Sequence, residues 1–307
     1  PVGVPLTHIS GLQGGMIFVF GMGGHMILME RFDPGEMIAL IEEQRVTHLG
    51  CVPTMMVAIS AHPRARIADW SSVKAVMVGG AAAPAEVQAR FQEITGVIVQ
   101  PGYGATETSL GAVMGPADGD RDLDAAGQPL PGTTIEIRQT DDPSRIVDRG
   151  EIGEICVKGP QVMQGYWNRP DATAEAMIDG FFRTGDLGRI DNQGHVHIVD
   201  RLKDMIICSG YNVYPSAVEN AIYRHPAILH CVVIAVPDEY RGETVKAYAV
   251  LRPDSAVTLE DLQAFLKPYL SPMEMPKLFE VRGTLPLTTA AKLSRKALRD
   301  ELDSVGA

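Results

Sequence analysis

The sequence predicts an α/β protein: part of a large domain with a parallel sheet, helices and a small antiparallel β-subdomain, followed by a small α+β domain. Three observations predict it. Strand-like and helix-like runs alternate over the first hundred or so residues, the rhythm of a parallel sheet covered by helices. From about Asp118 short strands separated by Gly, Pro and Asp clusters take over. After Arg201 the texture changes again, to longer helices and strands. The expected boundaries are 1–117 for the α/β part, 118–200 for the β-subdomain, 201–203 for a hinge and 204–307 for the last domain.

Taken in order, the apolar stretch GGMIFVFGMGGHMILM at 14–29 reads as a buried helix leading into a buried strand. It is shorter than the roughly 20 residues a bilayer span needs, and it holds His25 and five glycines. A strand HMILME precedes a helix whose cap is Asp33 and whose first helical residue is Pro34. THLGCV followed by PTMMVAISAH repeats the unit. VKAVMVGG, PAEVQARFQEITG and VIVQPGYG give a strand, a glycine turn, a helix opened by Pro84 and stopped at Gly96, and another strand. GTTIEIRQ, GEIGEICVKGP and GHVHIVD are the short strands of the β-subdomain. Beyond Arg201, six segments read as helix, strand, strand, helix, strand and helix: YPSAVENAIYRH, HCVVIAVP, TVKAYAVLRP, TLEDLQAFLKPYL, KLFEVRG and SRKALRDELD.

Composition excludes several classes. The chain has 307 residues, 45% hydrophobic and 21% charged, ordinary values for a folded protein with a sizeable core. With 38 acidic and 27 basic side chains the net charge is −11, which disfavours nucleic acid and anionic membranes as partners. An anionic ligand must then be held by local donors. Cys51, Cys156, Cys208 and Cys231 lie far apart, without metal-ligand spacing, and read as buried thiols of a reducing cytosol. No export signal opens the chain, so a cytoplasmic location is expected. Oligomeric state is open, a homo-oligomer included.

Several stretches carry polar groups suited to chemistry. QPGYGATETS at 100–109 follows a strand of the parallel layer, where ligands bind beyond the carboxyl ends of strands. There Gly102 and Gly104 permit close backbone approach, Thr106 and Thr108 offer hydroxyls, and Glu107 suits a magnesium ion on a polyphosphate. GFFRTGDLG at 180–188 reads as a glycine-bounded turn carrying Asp186, able to accept from vicinal ribose hydroxyls, although a plain turn aspartate is the commoner case. VDRLKDMIICSGYNVYPSAVE at 199–219 reads as a charged junction, a Ser-Gly turn and a helix. Lys292, in TTAAKLSR, is by itself a surface charge at a loop-to-helix junction.

In order and spacing these segments resemble the superfamily of AMP-forming acyl-CoA synthetases, adenylation domains and luciferases, over essentially the whole chain. The resemblance rests on PLTHISGL at 5–12, VGGAAAP, YGATET, GEICVKGPQVMQGYWNRPDAT, GFFRTGDLG, DRLKDMIICSGYNVYPSAVE and PLTTAAKLSRKALR. It implies a carboxylate–CoA ligase that uses ATP, magnesium and coenzyme A, acting on a fatty or aryl acid, with a mobile C-terminal domain. It also implies roles. Gly79, Gly80 and Ala81 form the adenine-side turn; Tyr103, beside Gly104, lies against adenine; Thr106 bonds the α-phosphate; Glu107 serves the metal. Asp186 and Arg201 hold the ribose hydroxyls, and His8 sits beside the reacting carboxylate. Lys203 is the hinge, Ser209, Gly210 and Tyr211 line the pantetheine passage, and Lys292 is the adenylation lysine.

Two departures stand out. The family glycine before the lysine is Ala291 here, and the usual tyrosine–lysine pair is replaced by Met273 and Glu274. The family's Ser/Thr/Gly-rich phosphate loop is not among these residues, so the chain is expected to be the C-terminal part of a longer enzyme and impaired alone. Transfer to a carrier-protein phosphopantetheine, or an inactive nucleotide-binding remnant, are the alternative readings.

Overall fold

The structure is a computed structural model that describes residues 1–116 and 122–305. The boundary expected between 117 and 118 lies outside those residues. The chain divides into two compact units, Pro1–Ile198 and Val199–Ala307.

The first unit opens with a π-helical turn, Ser10–Ile17, running into a short helix α1, Phe18–Gly21. The predicted helix is there but not buried: Ile17, Phe18, Phe20 and Met22 are exposed. The strand expected after it reduces to a single bridge between Val2 and Leu28. Hydrophobicity says that a segment favours cover, not that this unit supplies it.

From there the sequence signals hold. Asp33 caps α2 (Pro34–Glu43) by accepting the Glu36 N–H at 2.8 Å. Strand β1 (His48–Cys51), α3 (Pro53–Ala61), β2 (Ala75–Val78), α4 (Ala85–Thr95) and β3 (Val99–Tyr103) follow, with α4 ended by left-handed Gly96. β1, β2 and β3 pair in parallel; β4 (Val113–Met114) and β5 (Gln128–Pro129) extend the sheet antiparallel. The helices cover this sheet with Met37, Ile38, Ile41, Met55, Met56, Ile59 and Phe91, all at most 1% exposed. An open hollow lined by Trp70, Val73 and Ile94–Val97 lies at the opposite edge, before β2 and β3 begin, away from the strand ends where ligands collect.

The second sheet has the order β10-β9-β7-β6, with β6 at Thr134–Arg138, β7 at Gly153–Lys158, β9 at Phe181–Ile190 and β10 at Val196–Arg201. Helix α5 (Pro170–Ala176) leads into β8 (Met177–Ile178), which pairs with β9. Asp186 is therefore not in a turn: it sits within β9, beside a register shift against β7 where Gly185 has φ +70°. The glycine marks a bulge inside a strand.

The Val199–Ala307 unit forms a five-stranded sheet with β11 (Ile206–Cys208), β12 (Tyr211–Val213), β13 (Ile228–Asp238), β14 (Gly242–Leu251) and β15 (Leu278–Val281). Alternation along β13 splits its core. Cys231 and Val233 face α6 (Pro215–Tyr223) and α7 (Leu259–Leu266), while Val232, Ile234 and Val236 face Leu285 and Leu298. Leu298 belongs to α8 (Arg295–Val305), so the stretch bearing Lys292 is pinned to a sheet face on both sides.

Lys292 closes a small hairpin. The Ala291 N–H donates to the Thr288 carbonyl at 3.0 Å, the Thr288 N–H to the Lys292 carbonyl at 2.7 Å, and Leu287 bridges Leu293. A turn followed by one left-handed residue has this pattern and favours glycine at the left-handed position. Ala291 occupies it at φ +57°. Ala291→Gly should relieve about 1 kcal/mol and raise the thermal midpoint of the unit by a few degrees in calorimetry; an unchanged or lower midpoint would show that the left-handed turn carries no strain. The other departure has a local cause: the Glu274 carboxylate accepts the Ser271 N–H at 2.8 Å, and Met273 packs on the core beside Cys208.

Candidate active site

The loops after β2 and β3 approach so closely that a side chain on Gly79 would meet the Gly102 carbonyl at 3.2 Å. Gly80, at φ +80°, turns the chain away into Ala81. After β3 the loop 104–111 folds back on itself, and a Cβ on Gly104 would lie 2.0 Å from the Leu110 carbonyl, so only glycine fits. The buried Thr108 hydroxyl is spent inside this loop, accepting the Ala105 N–H at 2.8 Å. Thr106 stays exposed.

Across from this loop the β9 bulge aims Asp186. Gly185 N–H donates to Glu154 at 3.1 Å, Thr184 donates to the Ile155 carbonyl at 2.8 Å, and the Tyr103 hydroxyl donates to Asp186 Oδ2 at 2.8 Å. Glu107 is fixed likewise: its Oε1 accepts the Tyr166 hydroxyl at 2.8 Å and its carbonyl accepts the Met163 N–H at 2.7 Å. Burial and the Glu107 carboxylate push the Tyr166 phenol up, so it remains a donor. Glu107 thus presents an oriented, partly exposed carboxylate beside an exposed hydroxyl. Hard oxygen donors of this kind fit a magnesium ion whose other ligands are phosphate and water.

Of the sequence-predicted residues, Tyr103, Gly104, Thr106, Glu107 and Asp186 come together here, with Gly79, Gly80 and Ala81 at the neighbouring strand end. His8 does local work, its Nδ1 accepting the Ser10 N–H at 3.1 Å at the start of the helix. That helix reaches the same loop, since a Cβ on Gly14 would meet the Leu110 side chain at 3.0 Å. Tyr166, which holds Glu107, lies in QGYWNRPDAT, a stretch that the sequence marks only as a whole.

Among the described residues, Asp122, Asp191 and His197 also cluster closely enough to share an ion. The hydrogen bonds there serve the β9–β10 hairpin instead. Arg189, donor only, faces His197 Nδ1 at 3.3 Å; with Nδ1 accepting there, Nε2 carries the proton, donates to Asp191 at 3.0 Å and has no lone pair to offer a metal. The Asp191 carboxyl, though burial works against its charge, is held far below the usual carboxylate range by His197 and two backbone N–H groups.

In the Val199–Ala307 unit, Arg201 ends β10, Lys203 lies in a 3-10 turn at Leu202–Asp204, and Ser209 and Gly210, at φ +50° and +81°, form the two-residue β11–β12 turn. Tyr211 follows it, 64% exposed, and the Ser209 N–H donates to the Arg241 carbonyl at 2.8 Å. Burial, and then the Arg201 guanidinium, hold the Lys292 ammonium below the ordinary lysine range. Lys292 and Arg201 are near enough to feel each other's charge.

The sequence profile of the AMP-binding enzyme family matches residues 2–167, and that of the AMP-binding enzyme C-terminal domain matches residues 217–292. The chain belongs to the AMP-binding enzyme family. Within this family it is 41% identical over 298 residues to a long-chain-fatty-acid–CoA ligase of Bacillus subtilis, covering 97% of this chain and 53% of that enzyme. It is 40% identical to a feruloyl-CoA synthase of an Amycolatopsis species, covering 97% of this chain and 60% of that one. ATP-bound MatB from Rhodopseudomonas palustris superposes with a TM-score of 0.91 at 33% identity, covering 99% of this chain and 60% of MatB. The chain thus spans about half to three fifths of these AMP-binding relatives. Among the described residues no helix is long and apolar enough to cross a membrane.

Proposed function

We propose that the enzyme carrying this chain is an AMP-forming carboxylate–CoA ligase. In the first step a carboxylate oxygen of the acid attacks the α-phosphorus of ATP; the bond to the β-phosphate breaks, giving acyl-AMP and pyrophosphate. In the second the sulfur of coenzyme A attacks the acyl carbon, the bond to phosphate breaks, AMP leaves, and the thiol proton goes to solvent.

The observation that carries this reading is the Tyr103–Asp186 hydrogen bond at the end of β3, with Thr106 and Glu107 in the adjoining loop. One aromatic face, one carboxylate for a ribose diol, one hydroxyl for a phosphate and one carboxylate for a metal suit a nucleoside phosphate. Arg201 shares the ribose with Asp186, Gly79–Ala81 face the adenine, and His8 borders the acid. Thr106 would donate to the α-phosphate, and Glu107 would hold magnesium, which neutralises the polyphosphate when bound. Lys292 supplies an ammonium to the carboxylate and α-phosphate oxygens as negative charge gathers there. A turn of the backbone at Lys203 withdraws it before the thiol enters past Ser209, Gly210 and Tyr211. The small side chains at Ala81–Ala83 and the names of the relatives support a fatty or aryl acid as substrate.

The test is a panel of fatty and aryl acids given to the enzyme carrying this chain, following pyrophosphate release and thioester formation with coenzyme A or a carrier-protein phosphopantetheine. Acid-dependent pyrophosphate with thioester on coenzyme A is expected. Thioester on the carrier alone would move the reading to a carrier-loading enzyme, and AMP binding without turnover would reduce it to a nucleotide-binding remnant.

A further inference from the structure

Arg295 lies three residues after Lys292, where α8 begins. Its guanidinium is shared among three carboxylates: Asp200 at 2.9 Å, Glu219 at 2.7 Å and Asp204 at 3.5 Å, with the Ser216 hydroxyl at 3.0 Å. These carboxylates differ in place. Asp200 precedes Lys203 in the chain; Asp204 and Glu219 follow it. Asp200 is 1% exposed at its side chain and holds more than Arg295. Its Oδ2 accepts the Ser216 N–H at 2.6 Å, capping α6, whose own N-cap residue Tyr214 makes no side-chain cap. A backbone rotation at Lys203 would carry Asp200 away from Arg295 and α6, leaving Asp204 and Glu219 on the guanidinium. The same rotation would carry Arg201 away from Lys292.

We propose that Asp200 and Arg295 form a latch, a pair of positioning residues that holds the 200–204 segment in the setting where Lys292 stands beside Arg201, and so favours the first half-reaction over the second. Arg295 suits a latch because it can release one carboxylate and keep two, so the unit stays paired while the switch is thrown. The capping of α6 by Asp200 adds to the same state. This proposal rests on reading Lys292 as the adenylation lysine and Lys203 as the pivot.

In the enzyme carrying this chain, Asp200→Asn should lower acid-dependent pyrophosphate release about tenfold, the scale of a lost charge-assisted hydrogen bond. Thioester formation from supplied acyl-AMP should stay within about twofold or rise. Arg295→Lys, which keeps the charge without the fork, should give the same split and serves if Asp200→Asn does not fold. Asp204→Asn, on the other side of the pivot, should not separate the two steps. Equal loss in both half-reactions for Asp200→Asn or Arg295→Lys, or a split of the same size for Asp204→Asn, would overturn the latch. If Lys292→Ala itself fails to separate the half-reactions, the reading beneath has failed; if it does and Asp200→Asn does not, the latch alone has.

Discussion

Lys292→Ala should abolish acid-dependent pyrophosphate release by the enzyme carrying this chain and spare thioester formation from supplied acyl-AMP. The magnitude follows from Coulomb's law. One ammonium about 4 Å from the developing charge, at an effective dielectric of about 20, contributes roughly 4 kcal/mol, or about three decades in rate. The second step starts from a mixed anhydride that is already activated, so no comparable charge needs a cation there. Next to Lys292 in its hairpin, Leu293 packs against the apolar face of the sheet and fixes the segment. The titration of Lys292 gives a second readout. Burial and Arg201 depress its pKa, so the charged form is full at low pH and is lost, as pH rises, earlier than for a free lysine. The first half-reaction should therefore fall on the alkaline side below the ordinary lysine value, and Arg201→Gln should move that limb upward. Equal loss of both half-reactions in Lys292→Ala would reject the assignment.

Much of this was legible locally and little of it at long range. The Asp33 cap, Pro34 and left-handed Gly96 announce α2 and α4 because capping is settled within a few residues. Strands β1 to β3 were legible from short apolar runs alternating with helices. Asp186 was misplaced because glycine punctuates turns and bulges alike; only the partner strand β7 tells them apart. Thr106 and Thr108 look equivalent in sequence, yet one hydroxyl is buried in its own loop and the other faces out. The pairing of Arg295 with Asp200 spans 95 residues and has no periodic signature. Ala291 shows the opposite case, a single residue marked out in the sequence by standing where the resemblance puts glycine, and its φ is positive.

The second large effect belongs to Arg295. Burial works against its charge, but Glu219, Asp200 and Asp204 more than offset that and keep it firmly protonated. Glu219 feels the converse: burial pushes its carboxyl up against the pull of Arg295 and of the Val233 N–H it accepts at 2.8 Å. Arg295→Ala leaves Glu219 and Asp200 as buried charges without their cation, while Asp204 keeps Arg299 at 2.7 Å. Breaking a buried pair from one side costs roughly 3–5 kcal/mol, which the Val199–Ala307 unit should show in calorimetry or denaturant titration. The sign of the pH effect follows from Glu219. A carboxyl whose folded pKa lies above its unfolded value favours the protonated fold, so its contribution is present at low pH and lost as pH rises through the folded pKa. With Arg295 gone that pKa rises further, and the variant should regain part of its stability between neutral pH and about pH 5. Adding Glu219→Gln to Arg295→Ala should restore part of the loss at neutral pH, because a neutral amide can still accept the Val233 N–H without stranding a charge. A double variant no more stable than Arg295→Ala alone would show that the arginine contributes packing rather than charge compensation.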